Sequence, residues 1–157
     1  MSEKSLIRNL DSTQICLYEA DFYAWTQKQA QLLRSRQWDS VDLENVIEEI
    51  ESLGRQERRE LVNRLGILLG HLLKWQFQPE RRGNSGLSTV RIQRREVIQL
   101  LEDNPSLKPF LEQALQSAYQ TGIDLAVQET NLPYKTFPST CPYLFKQAID
   151  ADFFPNE

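Results

Sequence analysis

Four glutamates in the first third of the chain have a spacing that could bind a divalent cation. Glu44, Glu48 and Glu51 recur at i, i+4 and i+7, which places them on one face of a helix with Glu49 beside them. We call these four residues the acidic face. Carboxylate oxygens are the ligands that Mg²⁺ prefers, so the acidic face suggests a metal-dependent phosphohydrolase acting on nucleotides or nucleic acid.

The acidic face also has a simpler interpretation. A phosphohydrolase of this kind needs a second acidic motif, and the sequence offers only Glu102 and Asp103 at the end of a later helix. The alternative is a solvated face whose carboxylates pair with arginines four residues further on, as Glu51 can with Arg55. We therefore assign no metal site and no cofactor from the sequence, and the enzyme is the second of two functional hypotheses.

The single histidine of the sequence, His71, shares a helical face with Lys74 and Trp75. These three residues, the His-Trp face, favour a neutral, hydrogen-bonded imidazole beside a half-buried tryptophan, with general acid–base catalysis as the alternative. A ferritin-like di-iron site is excluded, because it needs a histidine on each of two helices. A joint site with the acidic face is unfavourable, since Glu49 and His71 would lie about 33 Å apart along one helix.

Five arginines surround a glycine-containing loop over residues 79–86: Arg81, Arg82, Arg91, Arg94 and Arg95. Guanidinium groups near a helix N-terminus could bind an anion or a phosphate backbone, and neighbouring Trp75 and Phe77 could stack on bases. The alternative is pairing with the acidic C-terminal part, because residues 101–157 carry three Lys/Arg against eight Asp/Glu. Nucleic acid or a nucleotide is therefore one ligand hypothesis for this arginine cluster.

A long second helix must position both the acidic face and the His-Trp face. Residues 41–78 contain no proline, have apolar residues at helical spacing and are followed by Pro79. A charged waist interrupts the apolar pattern, and its residues are Arg55, Glu57, Arg58 and Glu60. The waist either lies at solvent or forms a fully paired buried network, because unpaired buried ions are costly. A bend at Gly54 is the alternative to a continuous helix.

The other segments predict an all-α fold, since no run of residues has the two-residue period of a strand. Helices are expected from residue 21, over residues 87–103 and over residues 107–129, with a short C-terminal helix over 142–149. The 87–103 helix should bury Val90, Val97, Ile98 and Leu101. The 107–129 helix has small residues every fourth position, Ala114, Ala118, Gly122 and Ala126, which would let another helix approach closely.

These elements predict a bundle of four main helices with one long second helix and a short C-terminal helix. Residues 1–17 are expected to form a loose arm, and residues 18–157 a single all-helical domain. No stretch approaches the roughly 18 apolar residues of a membrane span, and the N-terminal residues lack the pattern of a signal peptide. The net charge of −4 gives no overall basic field for nucleic acid or anionic membrane.

Six strings in the sequence resemble one bacterial family, the domain of unknown function numbered 29. They are DFYAW at 21–25, EEIESLGRQERREL at 48–61, HLLKWQFQP at 71–79, NPSL at 104–107, TCPY at 140–143 and DADFFP at 150–155. The resemblance runs from about Tyr18 to the C-terminus and departs at Gly86-Leu87, where many members carry Ser-Trp. It implies an all-helical bacterial domain without an assigned activity.

The leading functional hypothesis is a protein-interaction or regulatory module. Its partner would be an unknown protein or a second copy of the chain, because the long helix and the small-residue face suit self-association. A membrane partner is not expected. Cys16 and Cys141 have no metal or redox spacing, which favours reduced thiols in a cytoplasmic protein.

Overall fold

The computed structural model describes residues 17–156, and within them every regular element is helical. The helices are α1 (Phe22–Arg34), α2 (Leu43–Phe77), α3 (Asn84–Asp103), α4 (Leu111–Thr130) and α5 (Phe145–Ile149), with short 3-10 turns between them. The described residues contain no strand, which confirms the all-α fold with four main helices, a long second helix and a short C-terminal one. The predicted arm lies outside the described residues, except for residue 17.

The described residues divide into two compact units, one that ends at Gly54 and one that begins at Arg55. The boundary falls inside α2, so this helix contributes its N-terminal part to the first unit and its C-terminal part to the second. The single domain predicted over residues 18–157 stays a prediction. None of the described helices has an apolar stretch of the length that crossing a membrane requires.

Helix α2 is continuous through Gly54, as the absence of proline predicted. It has 35 residues, which corresponds to a length of about 52 Å. A Cβ built on Gly54 meets nothing within 4 Å, so this glycine serves no close packing contact. The helix ends at Phe77 and Pro79 opens the following 3-10 turn, because proline cannot donate to the preceding turn.

In the first unit, side-chain hydrogen bonds hold α1 against the start of α2. Asp21 caps α1, since its Oδ1 accepts the Ala24 N–H at 2.9 Å. Trp25 is buried, and its Nε1 donates to Asp42 Oδ2 at 3.0 Å. Gln29 Oε1 accepts the Asp42 backbone N–H at 2.8 Å. The residue before α2 is thereby tied to two side chains of α1.

In the second unit, the C-terminal half of α2 forms the centre of the core. Six of its leucines are fully buried: Leu61, Leu65, Leu68, Leu69, Leu72 and Leu73. Helix α4 approaches this half closely at Gly122, where a Cβ would lie 3.1 Å from the Gly70 nitrogen. The small-residue face predicted on this helix is therefore confirmed as a close helix–helix contact.

The segment after α4 folds back onto the second unit. Asn131 ends α4 in the left-handed conformation, with φ of 58°. Phe137, Tyr143 and Ala148 then enter the core. The Tyr143 hydroxyl donates to Gln76 Oε1 at 2.6 Å, which anchors this segment to α2. Burial raises the pKa of Tyr119, whose hydroxyl donates to the Pro138 carbonyl, to about 12.

The ends of α3 and α4 differ from the sequence prediction. Helix α3 begins at Asn84 rather than residue 87, because the glycine-containing stretch continues into the helix instead of remaining a loop. Ile98 was expected in its core face but is 39% exposed. Helix α4 begins at Leu111, since residues Pro105–Phe110 form a 3-10 helix containing Pro109.

Candidate functional site

The acidic face lies on the N-terminal half of α2 in the first unit. Glu49 accepts a hydrogen bond from the Tyr18 hydroxyl, and this contact raises the pKa of Tyr18. Glu44 and Glu48 are exposed, as is Glu51. Among residues 17–156, no group of three or more His, Cys, Asp or Glu side chains is placed to hold a metal ion. The phosphohydrolase hypothesis stays a prediction from the sequence.

An apolar stripe runs beside the acidic face, and sequence reasoning missed it as a functional feature. Its members are Leu43, Ile47, Ile50 and Leu53, which are 62%, 46%, 62% and 62% exposed. Their spacing places all four on one side of the helix. The signal in the sequence was the same helical periodicity that predicted the buried leucines further along α2. Periodicity shows that an apolar face exists and does not show what covers it.

The charged waist lies mostly at the surface of the second unit. Arg55, Glu57 and Arg58 are exposed, and the Arg58 guanidinium lies 4.8 Å from the centre of the Phe110 ring. Glu60 pairs with Arg64 four residues on, at 2.7 Å. Of the two alternatives for the waist, the structure shows the solvent-facing one. Surface pairs of this kind contribute about 0–1 kcal/mol, so the waist is not a stability element.

The His-Trp face contacts α4 through Glu129, a residue that sequence reasoning did not select. Lys74 Nζ lies 2.9 Å from Glu129 Oε2, and His71 Nε2 lies 3.9 Å from Glu129 Oε1. The His71 side chain is 12% exposed, and its Nδ1 is buried without a hydrogen-bond partner in the described part of the chain. Trp75 packs on Phe154, with ring centres 4.9 Å apart. The imidazole thus lies mostly buried on the same face as the tryptophan, but the expected hydrogen bond to it is not present among the described residues. Its neutral state stays a prediction.

Burial gives His71 a testable pH dependence. Desolvation lowers the pKa of His71 from 6.5, while the Glu129 carboxylate opposes the shift and Lys74 adds to it. Because the folded state binds the proton less tightly than the unfolded state, the stability contributed by His71 is complete above the unfolded pKa. That contribution is lost as the pH falls through the lower folded pKa.

We expect the urea midpoint of the natural chain to fall more steeply between about pH 7 and 5 than that of a His71→Gln variant. The measurement is urea unfolding at a series of pH values, with the difference between the two slopes as the readout. Carboxylates that do not contact residue 71 contribute equally to both chains, so their titrations cancel. Identical slopes would show that His71 does not titrate on unfolding in this range.

The arginine cluster does not form one site, because its members are divided among three environments. Arg81 and Arg82 lie beside the His-Trp face, where Arg82 Nε donates to the Trp75 carbonyl at 2.8 Å. The cavity at this place has a volume of about 10 Å³, enough for one water molecule and too small for a nucleotide. Arg91 and Arg95 lie instead along an open groove beside α3.

Arg94 is buried and binds the backbone rather than a ligand. Its guanidinium donates to the carbonyls of Ala148, Ala151 and Phe153 at 2.8, 3.3 and 2.5 Å. It also lies 5.0 Å from the centre of the Phe154 ring. Burial lowers the pKa of Arg94, and Asp150 and Asp152 oppose that shift. The sequence grouped Arg94 with candidate anion-binding residues, but in the structure its donors are occupied by the C-terminal segment.

The groove beside α3 is a large concave feature of the second unit. It has a volume of about 560 Å³ and is bounded by α3 on one side and by Ile149 and Ala151 on the other. Its apolar floor includes Ile92 and Ile98, which are 40% and 39% exposed. The residues that line it are Asn84, Leu87, Ser88, Arg91, Ile92, Arg94, Arg95, Ile98, Ile149 and Ala151.

Comparison with known proteins places the chain in one family. No curated protein and no solved structure matches it. The family described as Domain of unknown function DUF29 matches residues 17–154, which is nearly the whole chain and includes the six strings that carried the resemblance, except Pro155 at the end of the last one. The chain therefore belongs to the DUF29 family.

Proposed function

We propose that the protein is a protein-interaction module whose binding surface is the apolar stripe of α2. The exposure of Leu43, Ile47, Ile50 and Leu53 carries this proposal. Monomeric proteins rarely leave a contiguous apolar patch in water, and such patches mark sites of association. A single helical face with this spacing is the form in which helices dock on helices or enter grooves.

The distribution of exposed apolar side chains supports a binding role for the first unit. Twelve large apolar side chains of the described residues are exposed, and eight of them belong to residues 17–54. The first unit thus concentrates apolar surface that the second unit mostly buries. The eight are Phe22, Tyr23, Leu33, Trp38, Leu43, Ile47, Ile50 and Leu53.

The free energy gained by burying the stripe is too small to hold a partner by itself. Burying what remains exposed of four such side chains supplies roughly 4 kcal/mol. Association costs an estimated 4–15 kcal/mol in lost translational and rotational freedom. The stripe alone is therefore insufficient for a stable complex, and its partner must also contact neighbouring charged residues or a wider apolar area.

A photocrosslinker at residue 50 tests this function. We expect a chain with p-benzoylphenylalanine in place of Ile50 to form a discrete adduct with a protein in its native host cells. The matched control carries the crosslinker in place of Leu144, which is 70% exposed but lies outside the stripe. An adduct at position 50 and not at 144 supports the module. The same diffuse labelling at both positions would contradict it.

A further inference from the structure

The charged side chains that line the groove beside α3 are all positive. Three of its lining residues are arginines and none is a carboxylate, although the whole chain carries a net charge of −4. Arg94 is committed to backbone carbonyls, so the free charges are those of Arg91 and Arg95. Both are exposed, and neither forms an ion pair or hydrogen bond within the part of the chain that the structure describes.

The two free arginines lie between two partly exposed isoleucines on α3. Arg91 and Arg95 are one helical turn apart, and Ile92 and Ile98 expose about two-fifths of their surface beside them. A volume of about 560 Å³ is that of a binding cleft rather than a packing defect. The groove therefore suits a segment that presents apolar side chains with carboxylates beside them.

The stripe of α2 has this chemistry in this order. Its apolar residues are bordered by Glu44, Glu48 and Glu51, which are spaced at i, i+4 and i+7. The i, i+4 separation of the first two matches that of Arg91 and Arg95. The stripe, residues 43–53, is about 15 Å long, and the groove follows about 21 Å of α3 between residues 84 and 98. Their lengths are compatible.

We infer that the stripe of one copy of this chain docks in the groove of a second copy. The inference rests on the proposed function and names its partner. Pairing two stripes antiparallel would bring two acidic borders together, whereas stripe in groove places carboxylates against guanidinium groups. This contact is heterologous, so each copy keeps one unused stripe and one unused groove, and association continues into rings or chains.

Two variants with opposite defects test the head-to-tail contact. Ile50→Asp is expected to abolish binding through the stripe, and Arg91→Glu combined with Arg95→Glu is expected to abolish binding through the groove. All three positions are exposed, so folding should be unaffected. By sedimentation velocity over a concentration series, we expect the natural chain to exceed its monomer mass of 18.3 kDa. Each variant alone should remain monomeric. An equimolar mixture should form a dimer, because one variant keeps the groove and the other keeps the stripe.

A charge exchange provides the matched rescue. Glu44→Arg and Glu48→Arg, introduced together with the Arg91→Glu and Arg95→Glu changes, should restore self-association in a single chain. Circular dichroism melts confirm that each variant is folded. Added salt should weaken association of the natural chain, because the charged contacts lie at the edge of the groove.

Three results would overturn the inference. Persistent self-association of the arginine variant would indicate stripe-to-stripe pairing, and failure of the mixture to dimerise would remove the groove as the acceptor. A natural chain that stays monomeric at every concentration would exclude a second copy as partner. If the natural chain stays monomeric, the crosslink at residue 50 still tests the proposed function. A discrete adduct would then contain a protein other than this chain.

Discussion

Replacing Gly122 with valine should lower the melting temperature by about 6–12 °C, the equivalent of about 3 kcal/mol for a chain of this size. The reason is the contact between α4 and α2, where a Cβ at residue 122 meets the Gly70 nitrogen and Leu69 Cβ at 3.1 Å and the Gly66 carbonyl at 3.3 Å. Two of these atoms belong to the backbone, so they cannot rotate away. Valine adds two further methyl groups to this space, and the helices must separate.

The matching control is Gly54→Ala, and helix propensity predicts the direction in which it changes the melting temperature. In an open helix, exchanging glycine for alanine stabilises by up to about 1 kcal/mol. Gly54 lies in α2 with nothing within 4 Å of its Cβ position, so Gly54→Ala should leave the melting temperature unchanged or raise it. Thermal unfolding followed by circular dichroism measures both variants. A Gly122→Val chain as stable as the natural one would show that the close approach of the two helices is not required.

Replacing Arg94 with lysine should cost about 3 kcal/mol of unfolding free energy. Lysine keeps the positive charge, but one ammonium group cannot reach the three carbonyls that the planar guanidinium serves. Those carbonyls belong to Ala148, Ala151 and Phe153, so the change should release the C-terminal segment first. We therefore expect trypsin to cleave after Lys146 faster in the variant than in the natural chain, before global unfolding occurs.

The neighbouring residue provides the control for Arg94. Arg95 is exposed and has no hydrogen-bond or ion-pair partner among residues 17–156, so Arg95→Lys should change stability by less than about 0.5 kcal/mol. Urea unfolding measures the free energies, and the rate of cleavage at Lys146 reports on the segment itself. Equal effects of the two substitutions would show that burial of Arg94 is not what fixes the C-terminal segment.

Helical periodicity and proline positions accounted for most of the fold. They predicted α2 to within two residues at its start and one at its end, and they predicted the small-residue contact at Gly122. They did not predict the start of α3, because glycine near a helix N-terminus is compatible with both a loop and a first turn. The 3-10 helix before α4 was also missed, since its pattern merges with that of the following helix.

Burial along α2 could not be predicted, because it depends on which other elements pack against each half. Leucine and isoleucine at helical spacing are 46–62% exposed over residues 43–53, while the leucines at 61–73 are fully buried. The residue types are the same. The difference comes from α4 and the C-terminal segment, which pack on the second half. The contact of Glu129 with Lys74 was likewise not predictable, because the two residues are 55 positions apart in the sequence.

In the arginine cluster, helical spacing alone could have distinguished the buried arginine from the exposed ones. Arg91 and Arg95 are four residues apart and share a face, whereas Arg94 is turned about 100° from Arg95 toward Val90 and Val97. Counting helical positions would have separated the buried arginine from the two free ones. Its partners, three backbone carbonyls of residues 148–153, could not be found from side-chain types at all.

Because α2 is a single uninterrupted helix, its stripe is kept in helical form without having to nucleate itself. An isolated helix of eleven residues is marginal in water, since its first turn forms with a statistical weight of about 10⁻³. Here the buried leucines of the second half supply that first turn, and the stripe extends it. A partner therefore meets a surface whose backbone is already ordered. A peptide of residues 43–53 should consequently bind the same partner more weakly than the whole chain, although it contains every apolar contact of the stripe.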